Sequence, residues 1–264
     1  MSAGLGRTPQ RRIAETVAAE LRQRILVGPA MDQLPTQDQL VREFGVSYPS
    51  VREALRILET EGLVTVRRGS VGGAAVHRPD RSSGAYHLGL VLQGAGVTLG
   101  DLAEGLLQLE PLCAGEVARR ADRMTAVVPA LTANVDASAE TVSDGVEFTR
   151  IAREFHDLVV GFTPNDTIRH VVRSLVALWS AQEQQWAAAV TKRGEYPSAA
   201  EARGSVRTHR RLVDEIAAGN AEETQRIARR HLAATQALLL ERFTDDVVNA
   251  SSARSGWARA SDSR

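Results

Sequence analysis

Three histidines are spaced so that helical periodicity turns each toward an interior. His156 shares an apolar side with Phe148, Ala152, Phe155 and Val159. His209 lies on a stripe with Val206, Leu212, Val213 and Ile216, and His231 on one with Ile227, Ala234 and Leu238. Neutral imidazoles converging from separate helices of a bundle make a metal site, and three such ligands plus water suit Zn²⁺ or Ni²⁺. A lone histidine on an apolar face is more often simply buried with a hydrogen bond. Three facing inward favour a shared centre. His77, His87 and His170 have no such companions and read as surface or linker residues. Trp179 and Trp186 share a helix face at a spacing of seven, which reads as helix packing rather than ligand stacking.

A second set of residues has the chemistry to meet a duplex. Ser47, Tyr48, Ser50 and Arg52 fall in the first turn of an expected helix, and Arg56 lies one turn further, on the face away from Val51 and Leu55. Hydroxyls, a guanidinium and free amides at a helix N-terminus suit phosphates and base edges. Arg67 and Arg68 sit at the tip of an expected hairpin, where Gly69 permits close approach to backbone phosphates or the minor groove.

The elements that must position these groups follow from period and punctuation. Arg11 to Val27 reads as a helix, with Ile13, Val17, Leu21 and Ile25 recurring every four residues, and Gly28-Pro29 ends it. Thr36 and Gln39 form a capping box before a short helix carrying Leu40, Val41 and Phe44, which Gly45 stops. Ser47 caps a third helix with Val51, Ala54, Leu55 and Leu58 inside, and Gly62 stops it. Leu63 to Val66 and Ala74 to His77 read as the two strands of a wing. The expected fold is therefore mostly α: a winged helix-turn-helix over 1–78, a linker over 79–98, and an all-helical bundle of about six helices over 99–248. Turns are expected at Asp122, at Thr163-Pro164-Asn165, from Gly194 to Ser198, and at Gly219-Asn220, where Asn220 and Glu223 form another cap pair. Residues 249–264 are mainly Ser, Ala and Arg with one Trp, and are expected to be a disordered tail.

Composition narrows the class without announcing it. The formal net charge is zero, and residues 1–80 carry 11 Arg against 9 acidic residues, so bulk charge does not signal nucleic acid and the reading rests on motif and placement. No apolar run of about 18 residues or more is present to span a membrane, and Met1 to Gln10 lacks the apolar core of a signal peptide. The single Cys113 forms no internal disulfide, which fits a reducing cytoplasm.

The stretch from Leu34 to Val76 resembles the winged helix-turn-helix of the GntR family of regulators. The matches are Leu34-Pro35, Leu40, Phe44-Gly45-Val46-Ser47, Val51-Arg52-Glu53-Ala54-Leu55, Leu58, Glu61-Gly62-Leu63 and Arg68-Gly69. The resemblance implies DNA contacts at Ser47, Tyr48, Ser50, Arg52 and the Arg68-Gly69 tip. Asp38 and Tyr48 depart from it, because the family often has arginine at both, and arginine is the usual guanine reader.

Most of residues 99–245 is similar to the FCD effector domain of the FadR subfamily, through Leu102, Glu104, Glu110-Pro111-Leu112, Phe155-His156, Asn165, Thr208-His209 and Arg230-His231-Leu232. The likeness implies a divalent metal held by His156, His209 and His231, with a carboxylate effector beside it and Leu106, Glu110 and Ala152 at the effector pocket. Two departures follow. Ala152 stands where the family has a metal-binding aspartate, while Glu154 faces elsewhere, so hard ions such as Mn²⁺ are disfavoured relative to Zn²⁺ or Ni²⁺. Leu106 stands where arginine commonly grips the effector's carboxylate, which points to a larger or more apolar, lipid-like acid.

The function expected is a sequence-specific DNA-binding transcriptional regulator, a repressor acting as a homodimer on a double-stranded DNA operator, without a membrane partner and not an enzyme. Its DNA affinity would respond to a small-molecule effector. The alternative is a metal-dependent enzyme that activates water in the three-histidine cup. Against it, the sequence offers no obvious inward carboxylate as general base.

Overall fold

The computed structural model describes residues 9–66 and 74–252, which divide at Asp80 and Arg81 into two compact units. In the first unit, α1 (Pro9–Val27), α2 (Gln37–Phe44) and α3 (Tyr48–Thr60) precede an antiparallel pair, β1 (Val64–Val66) and β2 (Ala74–Val76). Val64 pairs with Val76, Thr65 with Ala75 and Val66 with Ala74. The apolar stripes read from sequence meet in one core: Val17, Leu21 and Ile25 of α1, Leu40 of α2, and Val51, Ala54, Leu55 and Leu58 of α3. Thr36 and Gln39 make the expected capping box, and Gly45 closes α2 in the left-handed region at φ +62, which glycine adopts without penalty. The Glu59 carboxylate accepts the Val66 amide at 2.9 Å and ties α3 to β1.

The second unit is helical: α4 (Arg81–Gly94), α5 (Leu99–Ala118), a π-helical turn (Arg123–Val127), α6 (Val128–Glu140), α7 (Gly145–Gly161), α8 (Asp166–Lys192), α9 (Ala199–Ala218) and α10 (Ala221–Phe243). Two apolar cores hold it. One gathers Phe148, Phe155, Val206, Leu212 and Ile216, and the other Leu102, Leu106, Val176, Leu178, Trp179 and Leu232. The expected turns lie between these helices. Asn220 occupies an N-cap but its side chain donates to Glu215 instead, while Ser198 and Glu201 form a capping box that the sequence reading passed over.

Two expectations are corrected here. Much of the 79–98 linker is α4, packed along α8. Its glycines hid the helix, yet they serve packing: a Cβ on Gly89 would lie 3.1 Å from Ala250 and 3.2 Å from Leu178. The start of the 249–264 tail is also ordered. Val248 and Ala250 are fully buried, the Ala250 amide donates to Gln93 at 3.0 Å, and Gln182 donates to the Asn249 carbonyl at 2.8 Å. Small side chains let this segment lie against the helices.

Candidate functional site

The expected duplex-reading residues divide in three. Tyr48, Arg52 and Arg56 are exposed on α3, and neither arginine has an ion-pair partner among the described residues. Ser47 is exposed at the N-cap, but Pro49 lies in the first turn and lacks an amide, and the Ser47 hydroxyl lies 3.1 Å from that of Ser50. Ser50 is a correction: it is buried, so its hydroxyl supports the first turn from inside and is not offered to a duplex. The spacing already placed it four residues before Ala54, on the inner stripe. Arg67, Arg68 and Gly69 lie outside the described residues.

One pairing on this face was not foreseen. The Tyr48 hydroxyl is hydrogen-bonded to Asp38, and the bond with that carboxylate's charge raises the phenol above its ordinary pKa. Asp38 lies in the first turn of α2 and Tyr48 begins α3. The two positions that depart from the arginine pattern therefore partner each other.

In the second unit, α7, α8, α9 and α10 surround a cup of about 580 Å³, within the range of small-molecule sites. His156, His209 and His231 line it from three helices, and each offers a ring nitrogen within 4.8 Å of the others. Phe155 stacks on His209 at 4.0 Å between ring centroids and fixes that ring. The Nε2 atoms of His209 and His231 are 2.8 Å apart. Burial first, then the charges of His231, His156 and Arg153, holds His209 well below its usual pKa. Burial, then His156 and Arg153, lowers His231 to about 3. Both rings are therefore neutral, with lone pairs available.

Behind His156, the Glu110 carboxylate lies 2.9 Å from Nδ1. Burial alone would raise this carboxyl, but the bond to His156 and the charges of His156 and Arg153 hold it below the ordinary range. A carboxylate on one ring nitrogen leaves the other directed at a ligand, the arrangement that orients metal-binding histidines. Glu110, expected at the effector pocket, is an inward carboxylate beside a histidine, a pairing that the sequence reading did not assign to it. It engages the back of a ring and does not line the cup, so its position suits orienting His156 rather than taking a proton from a substrate.

These residues fit a divalent ion. The donor set is three imidazoles, and the Nε2 atoms of His209 and His231 stand near the separation of about 3.0 to 3.4 Å expected for neighbours on one ion. Ala152 lines the cup and brings no carboxylate. The nearby cation Arg153 is offset by Glu110, with Nη2 to Oε1 at 3.7 Å, and by Glu183, with Nε to Oε2 at 3.2 Å.

Other cup expectations need revision. Leu106 is fully buried in the core with Trp179 and Leu232 and does not line the cup, so it is no ground for a larger or more apolar ligand. Trp179 packs as expected. Trp186 lines the cup wall, tilted against Tyr196 at 5.9 Å. Arg153 and Glu183 were not singled out in the sequence, although Glu183 stands on the stripe of Trp179, Ala187 and Val190.

Comparisons with known proteins agree with this division. Residues 101–234, about half of the chain, match the family described as the FCD domain, and residues 13–72 match the bacterial regulatory proteins of the gntR family. The Exu regulon transcriptional regulator of Escherichia coli (strain K12) is 43% identical over 65 residues, 24% of this chain and 25% of that one. The match thus spans about a quarter of that relative's length. The HTH-type transcriptional repressor NanR of Cronobacter sakazakii is 28% identical over 172 residues, 61% of this chain and 63% of that one. The structure of Streptococcus agalactiae GntR covers 86% of this chain and 98% of that one at 20% identity and a TM-score of 0.61, a likeness of fold. Among the described residues, no helix is long and apolar enough to cross a membrane.

Proposed function

Because this chain belongs to the FCD domain family over residues 101–234 and its residues 13–72 match the bacterial regulatory proteins of the gntR family, we propose that it is a sequence-specific DNA-binding transcriptional regulator of the FadR type. It acts in the cytoplasm as a homodimer on a pseudo-palindromic operator, the form two-fold symmetry imposes. The observation that carries this reading is the exposed face of α3, with Tyr48, Arg52 and Arg56 held outward by a packed core beneath. Repression relieved by an effector is the proposed mode, supported by the name of the NanR relative.

The effector occupies the four-helix cup and is an acid with an apolar body. It changes DNA affinity only by binding the DNA-competent and incompetent states unequally. His156, His209 and His231 would hold a Zn²⁺ or Ni²⁺ ion, which supplies positive charge toward an anionic ligand. Glu110 keeps His156 in one tautomer, and the stacked Phe155 keeps the His209 ring in place.

Selection of bound duplexes from a random pool tests the proposal. A two-fold symmetric motif is expected from the full chain, and a pool that stays unenriched would defeat it.

A further inference from the structure

A chain of two hydroxyls runs from a helix carbonyl to the wall of the cup. Thr149 on α7 is buried, and its Oγ1 lies 2.8 Å from the Gly145 carbonyl oxygen and 2.7 Å from the Tyr196 hydroxyl. A carbonyl oxygen only accepts, so the single hydroxyl proton of Thr149 is committed to Gly145. Two oxygens this close need a proton between them, so Tyr196 donates to Thr149. Burial first, with the charges of Glu183 and Asp144 and against the bond to Thr149, raises the Tyr196 phenol above its ordinary pKa, so its proton is in place at neutral pH.

Both residues line the cup, and the Tyr196 ring is held there. It sits over Gly145, where a Cβ would lie 2.5 Å from the ring, and it tilts against Trp186 at 5.9 Å between centroids. Having given its only proton to Thr149, the phenol oxygen keeps lone pairs alone for the cup. The cup's carboxylates are engaged elsewhere. Glu183 Oε2 accepts the Trp179 indole N–H at 2.9 Å and faces Arg153 Nε at 3.2 Å, while Glu201 accepts the Ser198 amide at 2.7 Å. An ammonium ion would need one of these carboxylates released, so the donor that suits this wall is neutral.

We propose that Tyr196 is a subsite for a neutral hydrogen-bond donor of the effector, an O–H or N–H group that the phenol oxygen accepts. This rests on the effector reading above and deepens it. Phe148, Trp186, Ile227 and Leu238 line the same cup, so the donor is carried on an apolar frame. A methyl ether of the same skeleton has no proton to give and sets lone pairs against lone pairs. The selectivity comes from the direction of the chain. Without Thr149 as acceptor, the Tyr196 proton is released and the tyrosine can serve an ether oxygen instead.

Fluorine NMR titration of the full chain with three fragments tests this: 4-fluorophenol and 4-fluoroaniline, which donate, against 4-fluoroanisole, which does not. The unaltered chain is expected to bind at least one donor about two- to tenfold more tightly than the ether, the range of one net neutral hydrogen bond, and the tighter donor identifies O–H or N–H. Y196F is expected to erase the preference. T149V keeps the side-chain shape and is expected to erase it while strengthening ether binding, a reversal that a merely structural pair would not give. The proposal is overturned if the unaltered chain prefers neither donor, or if either variant that folds keeps the preference. It is also overturned if neither variant folds, which would make the pair structural. Decanoic acid added to the fragment-bound chain separates the two readings. Displacement without a donor preference removes the Tyr196 subsite alone, and a donor preference without displacement removes the acid.

Discussion

Replacing Glu110 with glutamine and with alanine asks two different questions of the cup. The side chain is buried and joins His156 at 2.9 Å and Arg153 at 3.7 Å. Glutamine keeps the volume and a neutral hydrogen bond, so it loses only the charged part of the interaction, about 1–2 kcal/mol. Alanine also leaves His156 unpaired and Arg153 with Glu183 alone, a broken buried pair worth about 3–5 kcal/mol. In a helical unit of this size each kcal/mol moves the midpoint by about 2–4 °C. Scanning calorimetry under chelator should therefore show a fall of about 2–8 °C for E110Q and about 6–20 °C for E110A. The reasoning on His156 adds a second readout. E110Q should weaken Zn²⁺ binding by about 10–100-fold, as loss of an orienting partner does. Equal midpoints for E110A and the unaltered chain would refute the ionised, paired state assigned to Glu110.

Three other outcomes follow from the same geometry. His209 and His231 are neutral in the fold and protonate readily once unfolded, so acid favours unfolding. Urea denaturation without metal should lose up to about 1.4 kcal/mol per pH unit for each histidine below about pH 6.5, for His231 down to about pH 3; a flat profile between pH 7 and 5 would contradict this. Leu106→Ala should cost about 2–5 kcal/mol in stability but leave acid binding by the folded variant unchanged, because Leu106 is core; equilibrium unfolding and calorimetric titration together check it. Arg52→Ala should weaken operator binding by about 1–3 kcal/mol, relaxing sequence preference if it reads a base, or lowering the salt slope by about one if it contacts phosphate; an unaltered isotherm would remove Arg52 from the interface.

What could be read in advance divides along physical lines. The Thr36–Gln39 box and the three inward histidines are statements about spacing within one helix, and spacing is explicit in a sequence. Ser50 also stood on the inner stripe of α3, but its hydroxyl suggested a surface role. Helix α4 was hidden because glycine lowers helix propensity, and the close approach to Ala250 that Gly89 permits is a property of the packed fold. Arg153, Glu183 and Glu110 meet across α7, α8 and α5. Periodicity gives the face of each residue but not which residue lies opposite. The Tyr48–Asp38 bond escaped notice for the same reason, since two departures from a pattern look independent until two helix N-termini come together.

The regulator reading is tested most directly by fluorescence anisotropy of the purified chain against promoter fragments upstream of its own gene and against random duplex, across a range of salt. At least one fragment should be bound in preference to random DNA, with an affinity that falls steeply as salt rises. Equal affinity for every duplex at every salt concentration would contradict the account.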